Sequence, residues 1–330
     1  MRTVDLDGVR VSAIGLGTWQ FGSREWGYGA DYADHEAPAI LRRALELGVT
    51  FIDTAEMYGL GASERIIGST LAADRAEAAA AAAGVGSSAG TPSGAGSPPP
   101  RPFLATKLMP ILPLPAIARR RASGSRRRLK TEAIDLYQLH WPNPFVPVRT
   151  QAHALRTILD EGIARQAGVS NHSLRRWQAI ERALGRPVVS NQVSFSLVVP
   201  AASRELVPYA RDHGRVIIAY SPLGQGLLAR ADPGHPRDLR RYSRRFSASG
   251  LRRTAPLRAA VARIAAAHGA TSAQVALAWL VSHGNVIAIP GAHSVAQLEE
   301  NAAAGDLDLR SNELARLSEL ATQLASSDGR

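Results

Sequence analysis

Short apolar runs alternate with longer stretches of helical period along most of this chain. The first two runs form a hairpin. Val4-Asp-Leu6 and Val9-Arg-Val11 flank Asp7-Gly8, a dipeptide suited to a two-residue turn with positive φ. Eight further runs read as strands: Ala13–Leu16, Thr50–Asp53, Pro102–Thr106, Ile134–His140, Gln166–Val169, Val188–Gln192, Val216–Tyr220 and Val286–Ile289. Helical patterns lie between them. Glu36–Leu47 ends at Gly48, and Ser63 opens a helix with Glu64 in its first turn. Others run over Thr150–Asp160, Leu174–Leu184, Ser203–His213, Thr254–His268 and Ser272–His283, with Val295–Ala304 and Asn312–Leu324 after the last strand. Eight strands alternating with helices predict a single-domain (β/α)8 TIM barrel over 1–330, entered through an N-terminal β-hairpin. An open doubly wound sheet fits less well.

Where the polar residues fall supports the barrel. Asp53, Lys107, His140, Ser170, Asn171, Gln192 and Tyr220 all end strands or follow them at once. In a barrel those ends share one rim, so residues far apart in sequence converge. Two stretches depart from the alternation. Residues 76–101 are Ala-rich, then rich in Gly, Ser, Thr and Pro, which predicts a disordered low-complexity insert on the face away from that rim. Residues 229–253 follow a strand and are polar, which predicts a rim loop that shapes substrate entry.

Composition narrows the classes. With 330 residues and 45% apolar content the chain is long enough for a large core. No window holds about 18 consecutive apolar residues, so no membrane partner is expected. The start, Met-Arg-Thr-Val-Asp-Leu-Asp, does not read as a signal peptide. The absence of cysteine excludes disulfides, thiolate metal sites and cysteine nucleophiles, and suits a cytoplasmic location. Net charge is +11, with arginine packed into Arg119–Arg121, Arg126–Arg128, Arg240-Arg241, Arg244-Arg245 and Arg252-Arg253. These read as solvated helix faces, because no basic stripe interleaved with aromatics accompanies them, and no nucleic-acid partner is expected. His268, His283 and His293 are too scattered to hold a metal. Composition leaves the oligomeric state open.

The candidate chemistry lies in Phe51-Ile-Asp-Thr-Ala-Glu-Met-Tyr58-Gly, where a strand-ending acid precedes a tyrosine in a turn. Tyrosine, with an ordinary pKa of about 10, works as an acid near neutrality only beside a buried cation, which in turn needs a carboxylate to hold it. Lys107 is the candidate cation and His140 a further polar partner.

These residues sit in a wider set of motifs: Gly15-Leu-Gly-Thr-Trp19, Ala105-Thr-Lys107, Asp135-Leu-Tyr-Gln-Leu-His140-Trp-Pro, Gly168-Val-Ser-Asn171, Asn191-Gln192, Ala219-Tyr-Ser-Pro-Leu-Gly224, and Ile289-Pro-Gly-Ala followed by Glu300-Asn301. In this order they resemble the aldo-keto reductases from end to end, apart from the low-complexity stretch. The resemblance implies the barrel, a nicotinamide cofactor held without a Rossmann domain, and a small-molecule aldehyde or ketone reduced to an alcohol. A Gly-x-Gly-x-x-Gly fingerprint opening a helix is correspondingly missing. Tyr58 is the implied general acid. Lys107 would lower its pKa, Asp53 would hold Lys107, and His140 would orient the carbonyl oxygen as a neutral ring.

The implied cofactor contacts are Ser170, Asn171 and Gln192 on the nicotinamide amide, and Tyr220 stacked beneath its ring. Ser221, Leu223, Gly224, Gln225 and Gly226 would cover the pyrophosphate. Thr18 and Trp19 would stand beside nicotinamide and substrate, with Trp26 and Trp141 as candidate pocket walls. Gly291, His293, Gln297, Glu300 and Asn301 would meet the adenine end. There the chain departs from many NADPH-preferring members, which carry a lysine after the proline and an arginine in place of Gln297. NADP(H) is expected ahead of NAD(H). An alternative is a cofactor-sensing binding subunit similar to the potassium-channel β subunits, with little turnover.

Overall fold

The computed structural model describes residues 1–22, 32–82, 100–230, 232, 234 and 242–328. Trp26, Arg240, Arg241 and most of the low-complexity stretch lie outside the described residues.

β1 (Thr3–Leu6) and β2 (Val9–Ser12) pair antiparallel around Asp7 and Gly8, both with positive φ, as the Asp-Gly turn requires. Leu6 and Val11 are buried. Gln166 Nε2, near the start of the strand it occupies, donates to the Leu6 carbonyl, so the hairpin covers the N-terminal mouth of the barrel.

The barrel strands are β3 (Leu16–Gly17), β4 (Phe51–Asp53), β5 (Phe103–Leu108), β6 (Ile134–Leu139), β7 (Ala164–Ser170), β8 (Val188–Ser194), β9 (Val216–Tyr220) and β10 (Val286–Ala288). They form one parallel sheet in sequence order. The first and last strands close on each other: Gly15 N–H donates to the Ala288 carbonyl at 2.8 Å, and Gly17 N–H to Pro290 at 3.0 Å. Closure explains Gly-Leu-Gly. A Cβ on Gly17 would stand 2.8 Å from the Ile289 carbonyl oxygen.

The helices are α1 (Ala37–Glu46), α2 (Ala62–Ala82), α3 (Pro115–Arg128), α4 (Val148–Asp160), α5 (Leu174–Leu184), α6 (Leu206–Asp212), α7 (Ala248–His268), α8 (Ser272–Val281), α9 (Val295–Ala303) and α10 (Ser311–Asp328). Their amphipathic faces meet the sheet. In α5, Trp177, Ile180 and Leu184 are buried at helical spacing.

Three features correct the sequence reading. α2 runs on to Ala82, so the start of the stretch assigned to a disordered insert, 76–82, is helical; its alanines have the best helix propensity. α7 starts at Ala248, capped by Ser247, and takes over the end of the predicted rim loop. α3 was not anticipated. Its buried face is Ala118, Ala122, Gly124 and Ser125, too small to print an apolar period over a run of arginines. Among the described residues no single helix is long and apolar enough to cross a membrane.

Candidate active site

The C-terminal ends of three neighbouring strands bring the first four candidates together. Asp53 ends β4, Lys107 lies near the end of β5, and His140 follows β6. Tyr58 opens a short 3-10 turn, Tyr58–Gly61, ahead of α2. Lys107 is fully buried. Its Nζ donates to Asp53 Oδ2 at 2.5 Å, to the Thr54 carbonyl at 2.9 Å and to Tyr58 Oη at 3.1 Å, which uses all three donors. Gln192 Nε2 holds the other Asp53 oxygen at 2.7 Å. The His140 ring meets Tyr58 edge-on with centroids 5.9 Å apart and stacks on Trp141 at 3.9 Å.

Burial and charge act against each other here. Burial pushes the Asp53 carboxyl above its ordinary value, against the pull of Lys107. Burial also opposes the Lys107 charge, but Asp53 and Tyr58 outweigh it and the ammonium pKa is raised. The 2.5 Å contact, with the carboxylate held on both oxygens, decides for the ionised pair. For Tyr58, burial raises the pKa above the ordinary phenol value by more than Lys107 lowers it. Lys107 does lower the Tyr58 pKa, as expected from its charge, but burial outweighs it and the net direction is upward. Desolvating a phenolate costs more than one nearby ammonium returns, so Lys107 limits a rise. His140 is pulled down to about 2, first by burial and then by the charge of Lys107, so its ring is neutral near pH 7 as expected.

The scaffold around these groups is polar and buried. Thr18 Oγ1 donates to the Asp53 carbonyl at 2.8 Å and meets Ser63 Oγ at 2.8 Å, which ties the ends of β3 and β4 to the start of α2. Its hydroxyl thus helps position the Asp53 backbone. The Glu56 carboxylate accepts from the Met109 N–H at 2.6 Å and pairs with Arg121, bracing the loop that carries Tyr58. Thr54, Ser63 and Glu56 were not singled out from sequence. Only Ser63 carried a signal, as a helix opener.

The next strands carry residues for which cofactor contacts were expected. Ser170 Oγ donates to the Gln192 carbonyl at 2.9 Å, Asn171 Nδ2 to Ser170 Oγ at 3.1 Å, and Tyr220 Oη to Asn171 Oδ1 at 3.0 Å. Asn171 has φ 57°. His172 and Asn191 hold that bend by reciprocal backbone–side chain bonds. After β9, Ser221, Gly224, Gln225 and Gly226 all have positive φ, while Leu223 has φ −96°. The Gly224 and Gly226 N–H groups close back on the Ser221 and Leu223 carbonyls at 2.9 and 3.1 Å, so the segment is a tight turn held by its own backbone bonds. Ser170, Asn171 and Gln192 thus stand together at the rim beside the buried Asp53–Lys107 pair, polar groups of a kind that fit a nicotinamide dinucleotide.

At the other end the Gln297 and Asn301 side chains bond to the chain's own backbone. Gln297 Oε1 accepts the His293 N–H at 2.9 Å, Ser294 caps α9, and buried Asn301 donates to the Gly291 carbonyl at 3.4 Å. Glu300 lends its carbonyl to Gln274 Nε2. Gln20, which sequence reasoning missed, donates to the Ala292 carbonyl at 2.6 Å and fills the space where a side chain at 291 would stand; a Cβ there would lie 2.7 Å from its Oε1. No signal marked Gln20 beforehand. Trp19 and Trp141 are exposed at the rim, 44% and 39%.

Residues 13–322 match the model of the aldo/keto reductase family. An uncharacterised oxidoreductase of Mycobacterium tuberculosis is 48% identical over 94% of this chain and 89% of its own length. The methylglyoxal reductase of Escherichia coli is 32% identical over 94% and 90%. Among solved structures, an aldo/keto reductase of Klebsiella pneumoniae in complex with NADP and acetate is 30% identical, with a TM-score of 0.73 over 97% of this chain and 95% of that one. The glycerol dehydrogenase of Gluconobacter oxydans superposes with a TM-score of 0.81 at 26% identity, over 97% and 95%. A closed eight-stranded barrel with this wall of acid, lysine and tyrosine, matched along nearly its whole length, places the chain in the aldo/keto reductase family.

Proposed function

We propose that this protein is an NADP(H)-dependent oxidoreductase that reduces aldehyde or ketone carbonyls, with Tyr58 as proton donor. One observation carries the reading: a buried lysine held between a carboxylate at 2.5 Å and a tyrosine hydroxyl at 3.1 Å, beside a neutral imidazole. The Klebsiella relative bound to NADP supports the cofactor, and the Escherichia coli methylglyoxal reductase supports a small carbonyl substrate.

The reduced nicotinamide, when bound, supplies hydride to the carbonyl carbon. The protein's part is to receive the charge that then grows on the carbonyl oxygen. Tyr58 donates its hydroxyl proton to that oxygen, and the neutral His140 ring orients it by a hydrogen bond. Lys107 steadies the phenolate left on Tyr58, and Asp53 keeps Lys107 charged in a dry site. Ser170, Asn171 and Gln192 fix the carboxamide, Tyr220 supports the ring, and residues 221–226 receive the pyrophosphate.

The test is to titrate purified protein with NADPH and NADH by fluorescence, then follow cofactor absorbance with methylglyoxal and a panel of aldehydes. Tight NADPH binding with carbonyl-dependent oxidation supports the reading. Binding without oxidation by any carbonyl would transfer it to the cofactor-sensing alternative.

A further inference from the structure

Outside the barrel, between α2 and α3, lies a surface cleft of about 510 Å³. It is lined by Arg65 and Ser69 of α2, Gly124, Arg127 and Arg128 of α3, and Lys130 just beyond. Arg128 is accounted for: its Nε donates at 2.7 Å to the fully buried Glu64, which also accepts from Thr106. Among the described residues no carboxylate pairs with Arg65, Arg127 or Lys130. A further cation, Arg75, donates to the Lys130 carbonyl at 3.0 Å.

The ends of the helices explain only part of this charge. Arg126–Arg128 occupy the last turn of α3, where cations suit the negative end of the helix dipole. Arg65 has the opposite setting. It lies in the opening turns of α2, next to the positive end of its own helix. Like charges gathered from two helices into one concavity repel each other unless an anion joins them. Gly124 adds room, since a Cβ there would stand 3.2 Å from Arg128 Nη1.

We propose that this cleft is a binding site for a small phosphate-bearing anion, separate from the site on the barrel rim. Guanidinium groups offer paired N–H donors that match phosphate oxygens, and Lys130 adds a point charge. Six lining residues, four of them cationic, make a footprint small enough for a metabolite with one or two phosphates. The site also adjoins the catalytic turn: Arg128 Nε and Arg65 Nη1 lie 2.8 and 3.2 Å from where a Cβ on Gly61 would sit, and Gly61 ends the turn that Tyr58 opens.

The probe is inorganic pyrophosphate, titrated into NADPH-saturated protein at ionic strength held constant with sodium chloride. The melting temperature is expected to rise saturably by a few degrees. The double variant Arg127→Glu, Lys130→Glu should bind pyrophosphate at least about tenfold more weakly, at unchanged carbonyl turnover. Arg120→Glu, on an exposed position of the same helix, should leave binding as it was. If the charge reversals unfold the protein, Arg127→Gln with Lys130→Gln serves instead. A wild-type protein with no saturable rise overturns the proposal. So does an equal rise in the double variant, or tighter binding of a duplex oligonucleotide than of pyrophosphate at equal phosphate concentration.

Discussion

The two ends of the rim do opposite things with their side chains. At the β4–β6 end, Asp53, Lys107 and Tyr58 bond to one another in a dry setting, and their ionisation is set by that neighbourhood. Beyond β10, the side chains of Gln297 and Asn301 bond to the chain's own backbone and offer no fixed charge outward. The difference follows from the tasks. Moving a proton needs groups whose charges are held in a low dielectric, where each is worth most. Gripping the far end of a dinucleotide can rest on the shape of a loop and on backbone amides.

Breaking the first end should have the largest effect. Tyr58→Phe removes the proposed acid and is expected to lower kcat for carbonyl reduction by about 10²–10⁴. NADPH affinity, read by fluorescence titration, should stay within about twofold; parent-like turnover would refute the role. Lys107→Met leaves the Asp53 charge buried without its partner and should cost about 3–5 kcal/mol of stability in urea unfolding. Adding Asp53→Asn to that variant should restore much of the loss, and failure to do so would mean the pair is not held by charge.

Titration gives a smaller effect with a definite sign. His140 is held down to about 2 and His172 to about 4, each chiefly by burial, from an ordinary 6.5. Groups with depressed folded values contribute stability that is fully present above the unfolded value and is lost as pH falls. Each ring should cost about 2 kcal/mol between pH 6.5 and 5. Urea midpoints at pH 7 and 5 check this, and His172→Gln should flatten its share; an unchanged acid sensitivity in that variant would sink the assignment. Because burial raises the Tyr58 pKa, the acid form should persist through neutrality, with reduction falling only on the alkaline side.

The other end can be sharpened by adding what it lacks. Gln297→Arg should raise preference for NADPH over NADH by about tenfold, roughly 1.4 kcal/mol, without changing kcat. No change in the ratio would mean that loop amides and His293 already suffice for a 2′-phosphate.

How much of this was legible depends on what each residue does. Strands were readable because buried parallel strands are continuous apolar runs, as at Ile134–Leu139 and Val216–Tyr220. Asp53, Lys107, His140 and Tyr220 were readable because they end such runs. α3 was not, since its inner face is alanine, glycine and serine. Gln20 was not, because its task is to fill the space at Gly291, on a loop far away in sequence. Thr18 was legible as a rim residue, whereas the bond of its hydroxyl to the Asp53 carbonyl was not, because that partner comes from another strand.

By itself the sequence determined the order of the strands and of the helices that carry an apolar period, the hairpin turn and which residues stand at the rim, because periodicity and turn chemistry are local properties. Only the tertiary structure decided how those residues are charged. The pKa of Tyr58 rises and that of His140 falls because of how much water the closed barrel excludes around them, and that exclusion depends on neighbours brought from the ends of different strands.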